Sequence, residues 1–241
     1  MQVIDAPAKA GASWIRQSFT MFTAQPAGWI ALLVSWLMLS VAVFFVIPVI
    51  GPALVTMLQP GLFAGFVIAA RDQEAGQPVT LSRLFAGFRA NGRALVTLGS
   101  ISLLAEIMVV VILGLLGFPG MAQAIPADGV ADLQKFMQAY VDLLEGKEWM
   151  LILGMCLLML IKAVLWFATP LLALQPMRAG HAIRWSFYAL IGNFLPMLLF
   201  GIMMSGIFFL AAMPWLLGLL VAMPVYAIAH YTSYRQVFGP D

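Results

Sequence analysis

From residue 185 to residue 234 the chain contains no Asp, Glu, Lys or Arg. Fifty residues at ~1.5 Å each would make a helix of roughly 75 Å, more than twice the ~30 Å hydrocarbon core of a bilayer. The stretch must therefore fold back on itself, and Met213-Pro214 marks the place, because proline cannot continue a helical ladder. Two spans are expected there, 194–213 and 215–234. Four more apolar blocks precede them, at 27–47, 52–70, 94–118 and 149–174. The chain is 63% hydrophobic and 9% charged, with a mean hydropathy of +1.00. Soluble domains average about 45–50% apolar and about 25% charged residues, so most of this apolar surface needs lipid as its solvent. The expected fold class is all-α: a polytopic membrane protein with six transmembrane helices in one integral membrane domain, 1–241.

A short motif recurs ahead of the spans. Arg16-Gln17-Ser18-Phe19 is followed by Phe22 and Gln25; Arg184-Trp185-Ser186-Phe187 is followed by Leu190 and Asn193. Between them, Phe85, Phe88 and Asn91 repeat the last three positions, with Ser82-Arg83 just upstream. The three-plus-three spacing keeps these side chains on one helical face, and each copy feeds a long apolar segment. The outgoing spans repeat as well: Pro60, Pro170 and Pro224 each stand eleven residues before Arg71, His181 and Arg235. The six spans are thus expected as three repeated helix pairs, each introduced by a short amphipathic surface helix. The first of these surface helices is expected over about 8–24.

The segments between the spans are polar or punctuated. The block 27–47 is longer than a signal-peptide h-region and is expected to be retained. Pro48-Val49-Ile50-Gly51-Pro52 is a turn, and Gly61-Leu62-Phe63-Ala64-Gly65 offers a small face for close helix contact. Pro119-Gly120 and Pro126 end the third span and open an outer insertion, 119–148. Within it Leu133, Phe136, Met137, Tyr140, Val141 and Leu144 recur at helical spacing beside Asp128, Asp132, Asp142, Glu145 and Glu148. This is an amphipathic helix expected to lie on the membrane surface.

Orientation follows from the basic residues. With the N-terminus inside, Lys9, Arg16, Arg71, Arg83, Arg89, Arg93, Arg178, Arg184 and Arg235 are cytoplasmic, and only Lys135 and Lys147 lie outside. Nine against two is a positive-inside bias, so both termini are expected on the cytoplasmic side. Trp29, Trp149 and Trp215 fall near span ends, where indoles anchor at the interface.

The inventory for covalent chemistry is poor. The sequence holds no G-x-S-x-G, H-E-x-x-H, Walker loop or Cys-x-x-Cys, so no catalytic, cofactor or metal site and no enzyme activity is expected. With two histidines and one cysteine, no zinc or iron–sulfur centre is expected. Cys156 reads as a small apolar helix residue, His181 and His230 as interfacial polar residues, and Tyr226, Tyr231 and Tyr234 as an interface belt. No basic run exists to bind nucleic acid. The partners expected are membrane lipids: Arg16, Arg83 and Arg184 stand beside aromatics at the inner headgroup level, where basic side chains attract anionic lipid. Glu106 and Lys162 are the acid and base deepest within spans, each twelve residues from the cytoplasmic end and hence at equal depth on consecutive antiparallel helices. Pairing is the expected remedy for two such charges, as a structural lock or as an ion-coupled site.

Pro48, Gly51 and Pro52, the run Leu84-Phe85-Ala86-Gly87-Phe88-Arg89 and the closing Tyr231, Tyr234, Arg235 and Phe238 together resemble uncharacterised six-helix inner-membrane proteins of Gram-negative bacteria. That group is similar in layout to the membrane domain fused to some glycerophosphodiester phosphodiesterases. The resemblance implies fold and location and supplies no catalytic residue. Two function classes stay open: small-molecule, ion or lipid transport, and a structural or regulatory membrane partner.

Overall fold

A computed structural model describes residues 2–47, 50–118 and 133–239. Pro48, Pro119, Gly120, Pro126, Asp128 and Asp132 lie outside the described residues. Among those described, all regular structure is helical: α1 (Ala10–Ala24), α2 (Pro26–Val46), α3 (Gly51–Glu74), a 3-10 turn (Leu81–Phe85), α4 (Ala86–Leu115), α5 (Leu133–Leu144), α6 (Glu148–Leu165), α7 (Ala168–Leu174), α8 (Ala179–Gly192), α9 (Phe194–Ala212) and α10 (Leu219–Phe238). Five segments are long and apolar enough to cross a membrane: α2, α3, Leu81–Leu115, Glu148–Leu174 and α9. In α2 only Trp29, Leu32 and Leu33 are buried by the protein. The remaining apolar side chains of such a helix require lipid around them.

The chain divides into two compact units, Met1–Ser102 with Val164–Asp241, and Leu103–Ala163. At the centre of the first unit α3, α7 and α10 pack on one another, and each carries an internal proline (Pro60, Pro170, Pro224). Around them, α1 lies on α9 and α10, the 3-10 turn lies on α2 and α3, and α8 lies on α7. The small face of α3 is used here. A Cβ at Gly65 would stand 2.5 Å from the Arg83 carbonyl oxygen, and one at Gly61 would meet the Phe88 ring at 2.4 Å. Only glycine lets the turn approach this closely. The second unit has a small core of Val109, Leu113 and Met150, flanked by Leu153, Leu157 and Ile161.

Several boundaries differ from the sequence expectation. Pro214 is followed by Trp215 and Leu216 at φ 52° and 65°, a left-handed corner that delays the last helix to Leu219. The fourth apolar block is two helices, α6 and α7, parted at Trp166-Phe167. Trp29 is fully buried, and its indole donates to Gln73 Oε1 at 3.1 Å, so it is a packing residue and not an interface anchor. Trp215, by contrast, is 93% exposed.

Candidate functional site

The break between α6 and α7 has a local cause and distant partners. Pro170 lacks an N–H, so the Trp166 carbonyl four residues earlier loses its helical donor. His230 Nδ1 lies 3.2 Å from that oxygen. A carbonyl can only accept, so Nδ1 must carry the proton. Ser186 closes the other side, accepting from the Phe167 amide at 3.0 Å and donating to the Val164 carbonyl at 2.6 Å. Neighbouring side chains commonly repair proline breaks in membrane helices in this way. His230 is buried, with its ring stacked on Trp166 at 3.6 Å between centroids and edge-on to Phe63 and Tyr226. It is a core residue, not the interfacial one its sequence position suggested. Tyr231 and Tyr234 are buried too, so they form no interface belt. His181 is exposed.

The amides at the end of each motif copy sit at backbone breaks. Gln25 (φ −144°, ψ 59°), Asn91 (φ −156°, ψ 51°) and Asn193 (φ −118°, ψ 32°) all leave helical geometry between a surface helix and the helix that follows. Each then ties down a remote segment. Gln25 Oε1 accepts from the Val79 amide at 2.8 Å; Asn91 Nδ2 donates to the Met177 carbonyl at 2.9 Å. Asn193 Oδ1 accepts from the Ala6 amide at 2.8 Å, and its Nδ2 donates to the Ile4 carbonyl at 3.2 Å. The first amide thus holds the lead-in to the second copy, the second holds the lead-in to the third, and the third holds the lead-in to the first. Phe19, Phe85 and Phe187 are exposed alike, at 50%, 49% and 45%.

The three arginines expected at headgroup level have different surroundings. Arg83 pairs with Asp72 at 2.9 Å, and Asp72 also holds Arg71 at 3.0 Å. Arg184 lies over the Tyr188 ring at 5.9 Å. Arg16 lines a cleft of about 510 Å³ together with Gln17, Thr20, Gln25, Gln73, Glu74 and Arg235. Within that cleft Arg235 pairs with Glu74 and donates to Gln17 Oε1 at 2.8 Å, while the Tyr231 hydroxyl donates to Glu74 Oε2 at 2.5 Å. Local sequence does not distinguish Arg16 from Arg83 or Arg184, because the other walls come from α3 and α10, far away along the chain.

In the second unit Lys162 Nζ stands 2.5 Å from Glu106 Oε1. The two side chains are 52% and 24% exposed, so the pair reaches the protein surface. Neither residue lines the arginine cleft. Among the described residues, no group of three or more His, Cys, Asp or Glu could hold a metal ion.

A probable inner membrane protein of Burkholderia thailandensis is 38% identical over 105 residues. The match covers 42% of this chain and 38% of that protein, so the chain spans well under half the length of the relative it resembles. No family model matches the chain. No solved structure matches it either. The apolar helices and this relative together define an integral membrane protein of several passes.

Proposed function

We propose that this chain is a six-span inner-membrane protein, built as three repeated helix pairs in one membrane domain, which handles an anionic small molecule or lipid at its cytoplasmic face and performs no covalent chemistry. The sixth span is α10. Its polar residues do not disqualify it, because His230, Thr232, Ser233 and Tyr234 are enclosed by protein and need no lipid-compatible surface. The repeat is supported by the three amide joints, the three central prolines and the matching exposure of Phe19, Phe85 and Phe187. The excess of Lys and Arg in the segments assigned to the inside supports cytoplasmic termini. The likeness in layout to the membrane domain of glycerophosphodiester phosphodiesterases belongs to this same proposal.

The observation that carries the functional reading is the arginine cleft, an open concavity edged by Arg16, Gln17 and Arg235 where α3 ends at Glu74 and α10 approaches its end at Phe238. A second reading, a non-catalytic structural partner, rests on the closed Glu106–Lys162 contact, which suits a lock between two helices. Reconstitution separates them. Vesicles containing the purified protein should redistribute labelled phosphatidylglycerol between leaflets, or release an entrapped organic anion, faster than protein-free vesicles. Rates equal to the protein-free control for both would leave the structural reading.

A further inference from the structure

We infer that the cleft between α1, α3 and α10 is a binding site for a phosphate-bearing headgroup, with the Arg16 guanidinium as its anion contact. This rests on the lipid-handling reading and gives it a site. The sign of the ligand follows from which polar groups are already occupied. Glu74 has one oxygen on Arg235 and the other on the Tyr231 hydroxyl, so its charge is spoken for. Gln73 accepts from the Trp29 indole through Oε1 and donates to the Met21 carbonyl at 2.8 Å through Nε2. Gln25 accepts from the Val79 amide and reaches the Gln77 carbonyl at 3.5 Å. Thr20 donates to the Arg16 carbonyl within α1.

What remains unoccupied is donor capacity. Arg16 is exposed, and no acidic partner for it lies among the described residues. Gln17 accepts from Arg235 through its oxygen, which leaves its NH2 as a second donor beside Arg16. A guanidinium fork next to an amide donor matches the oxygens of a phosphodiester. Met21 and Ala24 supply an apolar wall, and Phe19 stands exposed on the same helix. A volume of about 510 Å³ falls within the range of small-molecule sites. Because Glu74 closes α3, the cleft sits where an apolar helix ends, the depth at which lipid phosphates lie.

The test uses the full chain in neutral detergent, with Arg16→Gln and, as a control for general surface charge, Arg178→Gln. Arg178 is exposed too, at the start of α8, yet lines no part of this cleft. Binding is read with vesicles of phosphatidylglycerol, with vesicles of phosphatidylcholine, and with inorganic phosphate. Arg16→Gln should weaken phosphatidylglycerol binding about fivefold, and Arg178→Gln should leave it within about twofold. Competition by millimolar inorganic phosphate, lost in Arg16→Gln, keeps the site and assigns it to free phosphate as well. Equal losses in the two variants, or no loss in Arg16→Gln, overturn the site. Specific binding without leaflet redistribution removes the transport reading and leaves the site; redistribution unchanged by Arg16→Gln does the reverse.

Discussion

His230 and Trp166 meet twice: their rings stack at 3.6 Å, and the His230 Nδ1 lies 3.2 Å from the Trp166 carbonyl oxygen. The contact exists because Pro170 has withdrawn that carbonyl's helical donor, so a residue of α10 completes a bond missing from the α6–α7 segment.

His230→Phe should keep the ring stack, abandon the carbonyl and lower stability by about 1–3 kcal/mol. Pro170→Ala returns an N–H to position 170. The His230→Phe loss should therefore be smaller in a Pro170→Ala background. Thermal unfolding of the four proteins in one detergent measures the cycle, and equal losses in both backgrounds would mean that the carbonyl does not need His230.

Of the three amide joints, Asn193 is the most buried and makes two bonds to residues 4–6, besides one to the Ala189 carbonyl. Asn193→Ala should cost about 2–3 kcal/mol, while Asn91→Ala and Gln25→Ala, at less buried joints, should each cost about 1 kcal/mol. Protease sensitivity of the segment around Ile4 should rise in Asn193→Ala alone.

Glu106→Gln or Lys162→Met leaves one charge unpaired within an apolar helix, a burden of about 2.5–3.5 kcal/mol on the insertion scale. The double variant should lose less than the sum of the two single losses. Additive losses would mean that the contact contributes nothing as a pair.

Topology is tested by single cysteines at Ala12, Gln77 and Gln138 in a Cys156→Ala background; all three positions are exposed, and so is Cys156. An impermeant thiol reagent applied to intact cells should label Gln138→Cys alone. Labelling at Ala12 or Gln77 would reverse the assigned orientation. Gln236 is a poor reporter because its Oε1 accepts from the Trp14 indole at 2.6 Å.

Apolar runs and punctuation made the helices legible from the sequence. So did the aromatic-to-amide spacing, whose copies each lead into an apolar helix. What the amides reach for was not legible: Asn193 and Ala6 are 187 residues apart, and no periodicity encodes that pairing. The roles of Trp29, Tyr231 and Tyr234 were misjudged for a related reason. An indole or phenol near a helix end is equally compatible with headgroups and with a side-chain acceptor on another helix such as Gln73 or Glu74. α10 is not among the five candidate spans, and its His230, Thr232, Ser233 and Tyr234 are buried by protein.

The joint between Asn193 and residues 4–6 imposes an order on assembly. Ile4 also donates its amide to the Val237 carbonyl, and Trp14 and Ser18 of α1 wait for Gln236 and Thr232. At ~5–20 residues per second, the ribosome needs roughly ten seconds or more to deliver those partners after α1 has emerged. During that interval the inner face of α1 has no protein to rest on. The membrane surface is the available host for its Trp14 and Phe22, so α1 reaches its final seat only once the far later α10 has been delivered.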